Sequence, residues 1–226
     1  MVGMALQRSS LNTRGALIRA RRSAAFSGEP NNCLDHCGDM DTAFFDRPAE
    51  TVAPDLIGAL FLVNGVGGRI VETEAYDAED PASHSFRGPS VRNAPMFGPP
   101  GRAYVYRVYG RHWCFNVVCD VRRRGSAVLV RALEPTAGLE LMSERRGVGD
   151  VRQLCAGPGR LCRALAIDDR LNGASVFASP FTLLDKTIVR RVSHSPRIGV
   201  SKGVETPWRF FEDGSRYLSR REPATA

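Results

Sequence analysis

The dipeptide Asn64-Gly65 constrains this chain more than any other feature. It stands between the apolar run Phe61-Leu62-Val63 and the longer run Gly68 to Tyr76. Both residue types tolerate positive φ, so the pair favours a tight turn between antiparallel strands. Side chains of a strand alternate between its two sides, which puts Ile70, Glu72, Glu74 and Tyr76 of the return strand on one face. A carboxylate there can be a general base, a metal ligand or a solvent-facing charge, and exposure is the default for glutamate. Periodicity does not separate Glu72 from Glu74.

The chain around this hairpin reads as further antiparallel strands and short helices. Thr51 can cap a short helix with Pro54 near its first turn and Leu56, Ile57 and Leu60 on one side. Residues 77–100 are punctuated by Asp80-Pro81, Gly88-Pro89 and Gly98-Pro99-Pro100-Gly101, and so long a loop is usually functional or disordered. Ala103 to Tyr109 and His112 to Cys119 read as two strands turning at Gly110. Arg122 to Gly125 turns into a buried strand, Ala127 to Leu133, which gives an antiparallel meander. Helices are expected over Thr136 to Arg146, with Leu139 and Met142 at helical spacing, and over Pro158 to Ile167, with Leu161, Cys162 and Leu165 on its apolar face. Asn172-Gly173 is a turn, and Thr182 to Leu184, Thr187 to Val192 and Trp208 to Phe211 read as later strands. The fold class is mixed α/β, one domain over residues 41–220 with a short tail at 221–226.

With 226 residues, 43% of them hydrophobic and 24% charged, the chain has ordinary globular composition and can build one good core. No run of about 18 apolar residues exists, so no membrane partner is expected. A net charge of +7 permits an anionic partner such as nucleic acid. The basic residues are nearly all arginine, Lys186 and Lys202 being the exceptions. Residues 1–40 stand apart as a basic N-terminal extension. The first 28 hold five arginines and no acid, the composition of a transit peptide. A disordered arm is the reading favoured over targeting and over an upstream start ahead of Met4 or Met40. The location expected is bacterial cytoplasm beside the nucleoid, with organellar targeting through residues 1–28 left open. Cys33-x-x-His36-Cys37 looks like half of a metal site, but no second pair of ligands has the spacing a structural zinc needs. No metal or other cofactor is expected. Cys155 and Cys162, seven apart, read as buried small residues on one helix face.

Four of the five tyrosines fall between Arg69 and Asn116. Tyr104 and Tyr106 share a strand face, and Tyr109 sits on the other, beside the Gly110 turn. Ordinary core packing explains the first two. An aromatic at a hairpin tip has few core neighbours, and with Arg107 and Arg111 flanking it could stack on bases or wedge into a duplex.

Several motifs, in order, carry a specific resemblance. They are Glu72-Thr73-Glu74-Ala75-Tyr76, His84-Ser85, Arg92-Asn93-x-x-Met96-Phe97, Tyr104-Val105-Tyr106-x-x-Tyr109-Gly110, Asn116, Val130-Arg131-Ala132-Leu133-Glu134-Pro135 and Gly157-Pro158-x-x-Leu161-Cys162. Residues 41–220 closely resemble the alkyladenine (3-methyladenine) DNA glycosylase family. The resemblance implies a compact single domain with a curved antiparallel sheet, short surrounding helices and a protruding hairpin that wedges DNA. It implies a monofunctional enzyme of base-excision repair, monomeric, acting on duplex DNA that contains alkylated or deaminated purines. Tyr109 would be the wedge, and Tyr76, His84 and Tyr106 would sandwich the flipped base. Asn116 would crowd the 2-amino group of guanine. Glu74, rather than Glu72, would activate water, with Arg131 helping to hold it. Arg92, Arg107, Arg111 and Arg160 would meet the DNA backbone; Arg111 stands where some members carry an apolar residue. With Lys186 and Lys202 outside the matched motifs, direct attack by water is expected rather than an amine nucleophile. A non-catalytic lesion-binding protein, or an RNA-binding module of related fold, remains the alternative.

Overall fold

Asn64 and Gly65 take φ of 50° and 75°. They join β1 (Leu60–Val63) to β2 (Val66–Tyr76), with Val63 paired to Val66. The computed structural model describes residues 40–220, all belonging to one compact unit. An eight-stranded sheet grows outward from this hairpin. Its other strands are β3 (Ala103–Val108), β4 (His112–Cys119), β5 (Ser126–Ala137), β6 (Phe181–Leu184), β7 (Val192–Ser195) and β8 (Arg209–Glu212). The order is β3-β4-β5-β2-β1-β6, with β8 also pairing β2, and β7 pairing β8. Every ladder is antiparallel. The sheet is curved, with few and short helices around it.

The expected meander holds from β3 to β5 but does not include β2, which pairs with β5 rather than β3. β2 is central: β5 covers one edge, while β1 and then β8 cover the other. That is why every residue from Ile70 to Ala75 is buried, both glutamates included. The β2–β5 register slips at Val71 and recovers at Arg131, leaving both unpaired across the ladder. Such a bulge re-aims side chains. Ile70 consequently joins the main apolar cluster with Ala75 instead of sharing a face with Glu72 and Glu74.

The helices begin later or earlier than local signals imply. After α1 (Thr42–Phe45), α2 (Ala49–Asp55) starts directly behind Pro48, so Thr51 lies inside it and caps nothing. Thr136 and Ala137 stay in β5, and Gly138, at φ 72°, separates them from α3 (Leu139–Arg146). Of the two apolar positions expected there, Met142 is buried and Leu139 is exposed. α4 (Pro158–Leu165) buries Leu161, Cys162 and Leu165 as expected. Cys155 precedes that helix, so the two thiols do not share a helix face, although both are buried. Residues 187–191 form no strand; Ile188 and Val189 are exposed, and pairing starts at Val192. Residues 1–39, with the Cys33-His36-Cys37 cluster, and residues 221–226 lie outside the described part. Met40 is already buried against the core.

The two faces of the β3–β5 sheet do different jobs. One carries Val105, Phe115, Val117 and Val128 into the main core. There Phe115 stacks on Phe61, centroids 4.8 Å apart, and Phe181 lies 5.6 Å from Phe115. Burial of each such ring is worth about 1.5–3 kcal/mol. The opposite face carries Tyr104, Val118 and Ala127 against Met96, with Phe97 and Tyr106 at the margin. This small second cluster is one wall of a cavity.

Candidate active site

The cavity has a volume of about 410 Å³. Its walls come from alternate residues of adjacent strands: Tyr76 from β2, Tyr104 and Tyr106 from β3, Cys114 and Asn116 from β4, and Leu129 and Arg131 from β5. The loop after β2 adds Ser83 and His84, and a segment from Ile198 to Lys202 closes another side. Tyr104 and Tyr106 stack with centroids 5.2 Å apart, and the His84 ring meets Tyr106 edge-on at 4.4 Å. His84 Nδ1 is 2.9 Å from the Tyr104 hydroxyl. Burial pushes Tyr104 up to about 12, so that hydroxyl keeps its proton at neutral pH. Burial, and then the nearby Arg92, hold His84 below its ordinary value, which favours neutral imidazole.

Beneath the aromatic walls lies Glu74, fully buried. Its Oε1 accepts from the Ile198 backbone N–H at 2.7 Å. Its Oε2 accepts from Arg131 Nη1 at 3.0 Å and from the Tyr76 hydroxyl at 2.8 Å. Burial, followed by Glu74 itself, raises Tyr76 well above the usual phenol range, which keeps this donor protonated. A carboxylate has about four acceptor sites; three are filled here and one is open. The three donors all line the cavity, so the acid sits immediately behind its wall.

Glu72, on the same face, is saturated. It accepts from Arg131 Nε at 3.1 Å, Arg209 Nε at 2.7 Å, and Ser219 through both Oγ at 2.7 Å and N at 2.6 Å. Arg209 and Ser219 do not line the cavity. The two carboxylates and two guanidiniums make a buried group with balanced charge. Burial opposes the charge on Arg131, and Glu74 and then Glu72 outweigh it, raising that guanidinium above its ordinary value. Because the β5 bulge leaves Arg131 outside the ladder, its side chain reaches both acids.

Arg197 supports this arrangement from behind. It ion-pairs with Asp80, donates to the Ala75 carbonyl at 3.0 Å and to the Gly203 carbonyl at 3.3 Å. Its guanidinium carbon lies 4.7 Å from the Tyr76 ring centroid. One buried side chain thus ties β2, the loop after it and the 198–203 segment together, and covers one face of Tyr76.

The hairpin of β3 and β4 ends at the cavity's rim. Val108 pairs with His112, and Arg111 N bonds Val108 O at 3.1 Å. Tyr109 and Gly110 at the tip take φ of 51° and 65°. Tyr109 is 89% exposed and also touches the cavity.

The methylpurine-DNA glycosylase family model matches residues 43–216. The chain belongs to that family. A protein of Nitrosospira multiformis is 55% identical over 181 residues, covering 79% of this chain and 94% of the relative. One from Rhodopseudomonas palustris strain BisB18 is also 55% identical, covering 80% and 90%. One from Rhizobium etli is 53% identical, covering 81% and 90%. Each carries the description "putative 3-methyladenine DNA glycosylase".

Within this family member the structure gathers Tyr76, His84, Tyr106, Asn116 and Arg131 around one cavity, with Tyr109 at its rim and Glu74 behind it. Asn116 is held by its Nδ2, which donates to the Tyr104 carbonyl at 3.0 Å. Arg92 and Arg107 are exposed and joined, Arg92 Nη2 donating to Arg107 O at 3.0 Å, and neither lines the cavity. Arg111 and Arg160 line a different cavity. Sequence reasoning missed the Ile198 N–H, Arg197 and Ser219. It also set Lys202 aside, and the structure brings Lys202 to the cavity. A lysine so placed would have been found only from the contact between the 198–202 segment and β2.

Proposed function

We propose that this protein is a monofunctional DNA glycosylase of base-excision repair, which extrudes a damaged purine from duplex DNA and hydrolyses its N-glycosidic bond. The observation that carries the reading is Glu74, buried behind an aromatic cavity with three donors fixing it and one acceptor position open. Chemistry at the sugar C1′ inside a duplex requires the nucleotide to leave the stack, at a cost of a few kcal/mol that is least for damaged or mispaired bases. Tyr109 suits the vacated space. An aromatic residue in the left-handed region carries backbone strain, and at 89% exposure it buries too little to offset that strain by packing.

The extruded purine lies against Tyr76, His84 and Tyr106. Electron-rich rings attract an alkylated, cationic purine by about 0.5–2 kcal/mol. As the purine departs, C1′ gains positive character, and the Glu74 carboxylate stabilises it and accepts the proton of an attacking water. Arg131 and the Ile198 N–H keep that carboxylate aimed. The products are free purine and an abasic sugar. Asn116, pinned to the Tyr104 carbonyl, crowds a 2-amino group and so disfavours guanine. DNA-backbone contacts fall to Arg107 and Arg111 flanking the tip, to Arg92 bonded to Arg107, and to Arg160 on α4.

The test is a panel of duplexes containing 3-methyladenine, 7-methylguanine, hypoxanthine or ethenoadenine, with free base measured by chromatography and strand cleavage measured with and without alkali. Base release with cleavage only after alkali supports the reading. Binding without release would make the protein a lesion-binding module. Because Lys202 lines the cavity, borohydride is added during turnover; a protein–DNA adduct would show an amine nucleophile and end the monofunctional assignment.

A further inference from the structure

We propose that a second cavity, where α4 meets the tip end of the β3–β4 hairpin, is a phosphodiester site that grips the DNA backbone through Arg146 and Arg163 together with Arg111 and Arg160. This rests on the DNA-glycosylase reading. The cavity measures about 450 Å³. Arg111, His112 and Trp113 enter from the hairpin, Arg160 and Arg163 from α4, and Arg146 from the end of α3. Gly159 permits the close approach: a Cβ there would lie 2.9 Å from His112 Cβ.

The charges of this cavity have no internal answer. Arg69, Arg131, Arg197 and Arg209, the arginines nearest the core, each hold a carboxylate. Among the described residues, Arg111, Arg146, Arg160 and Arg163 hold none. Asp168, the one acid lining the cavity, is taken by Arg170 at 2.7 Å. Burial, and then the neighbouring Arg160 and Arg163, push Arg146 below its ordinary value, the mark of cations crowded without a counter-ion. Main-chain carbonyls hold three of them in place: Arg146 Nε donates to Leu154 O at 3.1 Å, Arg163 Nε to Arg145 O at 2.7 Å, and Arg160 Nη1 to Ala156 O at 3.4 Å. The terminal nitrogens of Arg146 and Arg163 stay available, and a guanidinium presents donors in a fork that matches phosphate oxygens. Tyr109 and His112 belong to one tight turn, so a duplex wedged by Tyr109 lays its backbone across this cavity. That proximity selects a DNA phosphodiester over a free anion.

The experiment uses the full chain and measures affinity for an undamaged duplex by fluorescence anisotropy across a salt series. Arg146→Gln/Arg163→Gln should weaken binding about tenfold and lower the slope of log affinity against log salt by about one, the value of one phosphate contact. Arg152→Gln/Arg190→Gln removes the same charge from two arginines that are ion-paired and should leave the slope unchanged. Single-turnover base release by Arg152→Gln/Arg190→Gln at saturating protein should stay within about twofold of wild type. Arg163→Gln alone, at an exposed position of α4, should weaken binding about threefold and guards against misfolding of the double variant. Equal slopes for the two double variants overturn the inference, and base release by wild type then leaves the glycosylase reading intact. Loss of inorganic phosphate binding without any change in DNA affinity also overturns it, assigning the cavity to a free anion. Failure of wild type to release any base removes the glycosylase reading, while the slopes still report on the cavity.

Discussion

Glu72 and Glu74 differ by two residues in sequence, and exchanging each for glutamine should produce opposite failures. Glutamine at 74 keeps one acceptor oxygen where the carboxylate used two. Either the Ile198 N–H or the Arg131–Tyr76 pair of donors then faces an amide NH2. Arg131 still has Glu72 at 3.1 Å, so no charge is left wholly alone, and the expected loss is about 1–3 kcal/mol. Glutamine at 72 strikes a hub of four hydrogen bonds that joins Arg131, Arg209 and Ser219. It takes away the carboxylate that Arg209 holds at 2.7 Å and one of the two that Arg131 holds, at a cost of about 3–5 kcal/mol. For a domain of this size each kcal/mol moves the midpoint about 2–4 °C, so Glu72→Gln should melt well below Glu74→Gln. Chemistry should invert that order. Without the Glu74 charge the water has no base and C1′ no counter-charge, and single-turnover release of hypoxanthine should fall about 10²–10⁴-fold. Glu72→Gln, assayed at a temperature where circular dichroism shows it folded, should stay within about tenfold of wild type. Lesion binding by Glu74→Gln should equal or slightly exceed wild type, since carboxylate–phosphate repulsion is gone. A folded Glu72→Gln as inactive as Glu74→Gln, or a Glu74→Gln that releases base at more than about a tenth of the wild-type rate, would refute the assignment of the two acids.

Local signals in the sequence carried the parts of this structure that are themselves local. Asn64-Gly65 set a turn whatever the rest of the chain did, and the β3–β4 hairpin, the apolar face of α4 and the loop-rich 77–100 region followed in the same way. What failed was decided at a distance. Ile70 leaves the Glu72–Glu74 face because of a register slip against β5, some sixty residues away in the chain, and alternation counted along one strand does not register a bulge. Glu72 and Glu74 could not be told apart because the groups that saturate Glu72 stand 137 and 147 residues further on. Ile198 contributes a backbone N–H, which every residue except proline possesses, so no side chain advertised it. Arg197 was one arginine among many until its partner Asp80, 117 positions earlier, lay against it. The motif resemblance bridged part of this gap by naming Glu74 and Arg131 together, and family membership is now established. It named no member of the supporting shell.

Tyr109→Ser should leave the melting point nearly unchanged, as the side chain is 89% exposed, and should slow excision from duplex DNA about tenfold or more through loss of about 1–3 kcal/mol of stacking; a large loss of stability with full excision would contradict the wedge. His84 supplies a pH test. Its folded value lies below the ordinary 6.5, so the neutral ring is the majority form at pH 6.5 and above and gives way to the charged one at lower pH, and the stability tied to neutral imidazole is likewise present above 6.5 and lost as pH falls. Excision of cationic 7-methylguanine should therefore hold down to about pH 6.5 and decline below it more than excision of hypoxanthine does, with His84→Gln removing the difference; a decline centred above 6.5 is the wrong sign. Asn116 tests selectivity. It is 4% exposed, and its bond to the Tyr104 carbonyl prevents it from swinging aside when a guanine arrives. Serine is shorter and cannot crowd the 2-amino group from the same Cα, and differences of this size in a pocket are worth about 1–3 kcal/mol. Asn116→Ser should raise release of undamaged guanine about tenfold or more over wild type, read as free guanine by chromatography over long incubations, while hypoxanthine, which has no 2-amino group to crowd, should be excised at close to the wild-type rate. A flat guanine signal with unchanged hypoxanthine activity would remove Asn116 from selectivity. A fall in hypoxanthine activity with no guanine gain would instead make it a support for the Tyr104 strand.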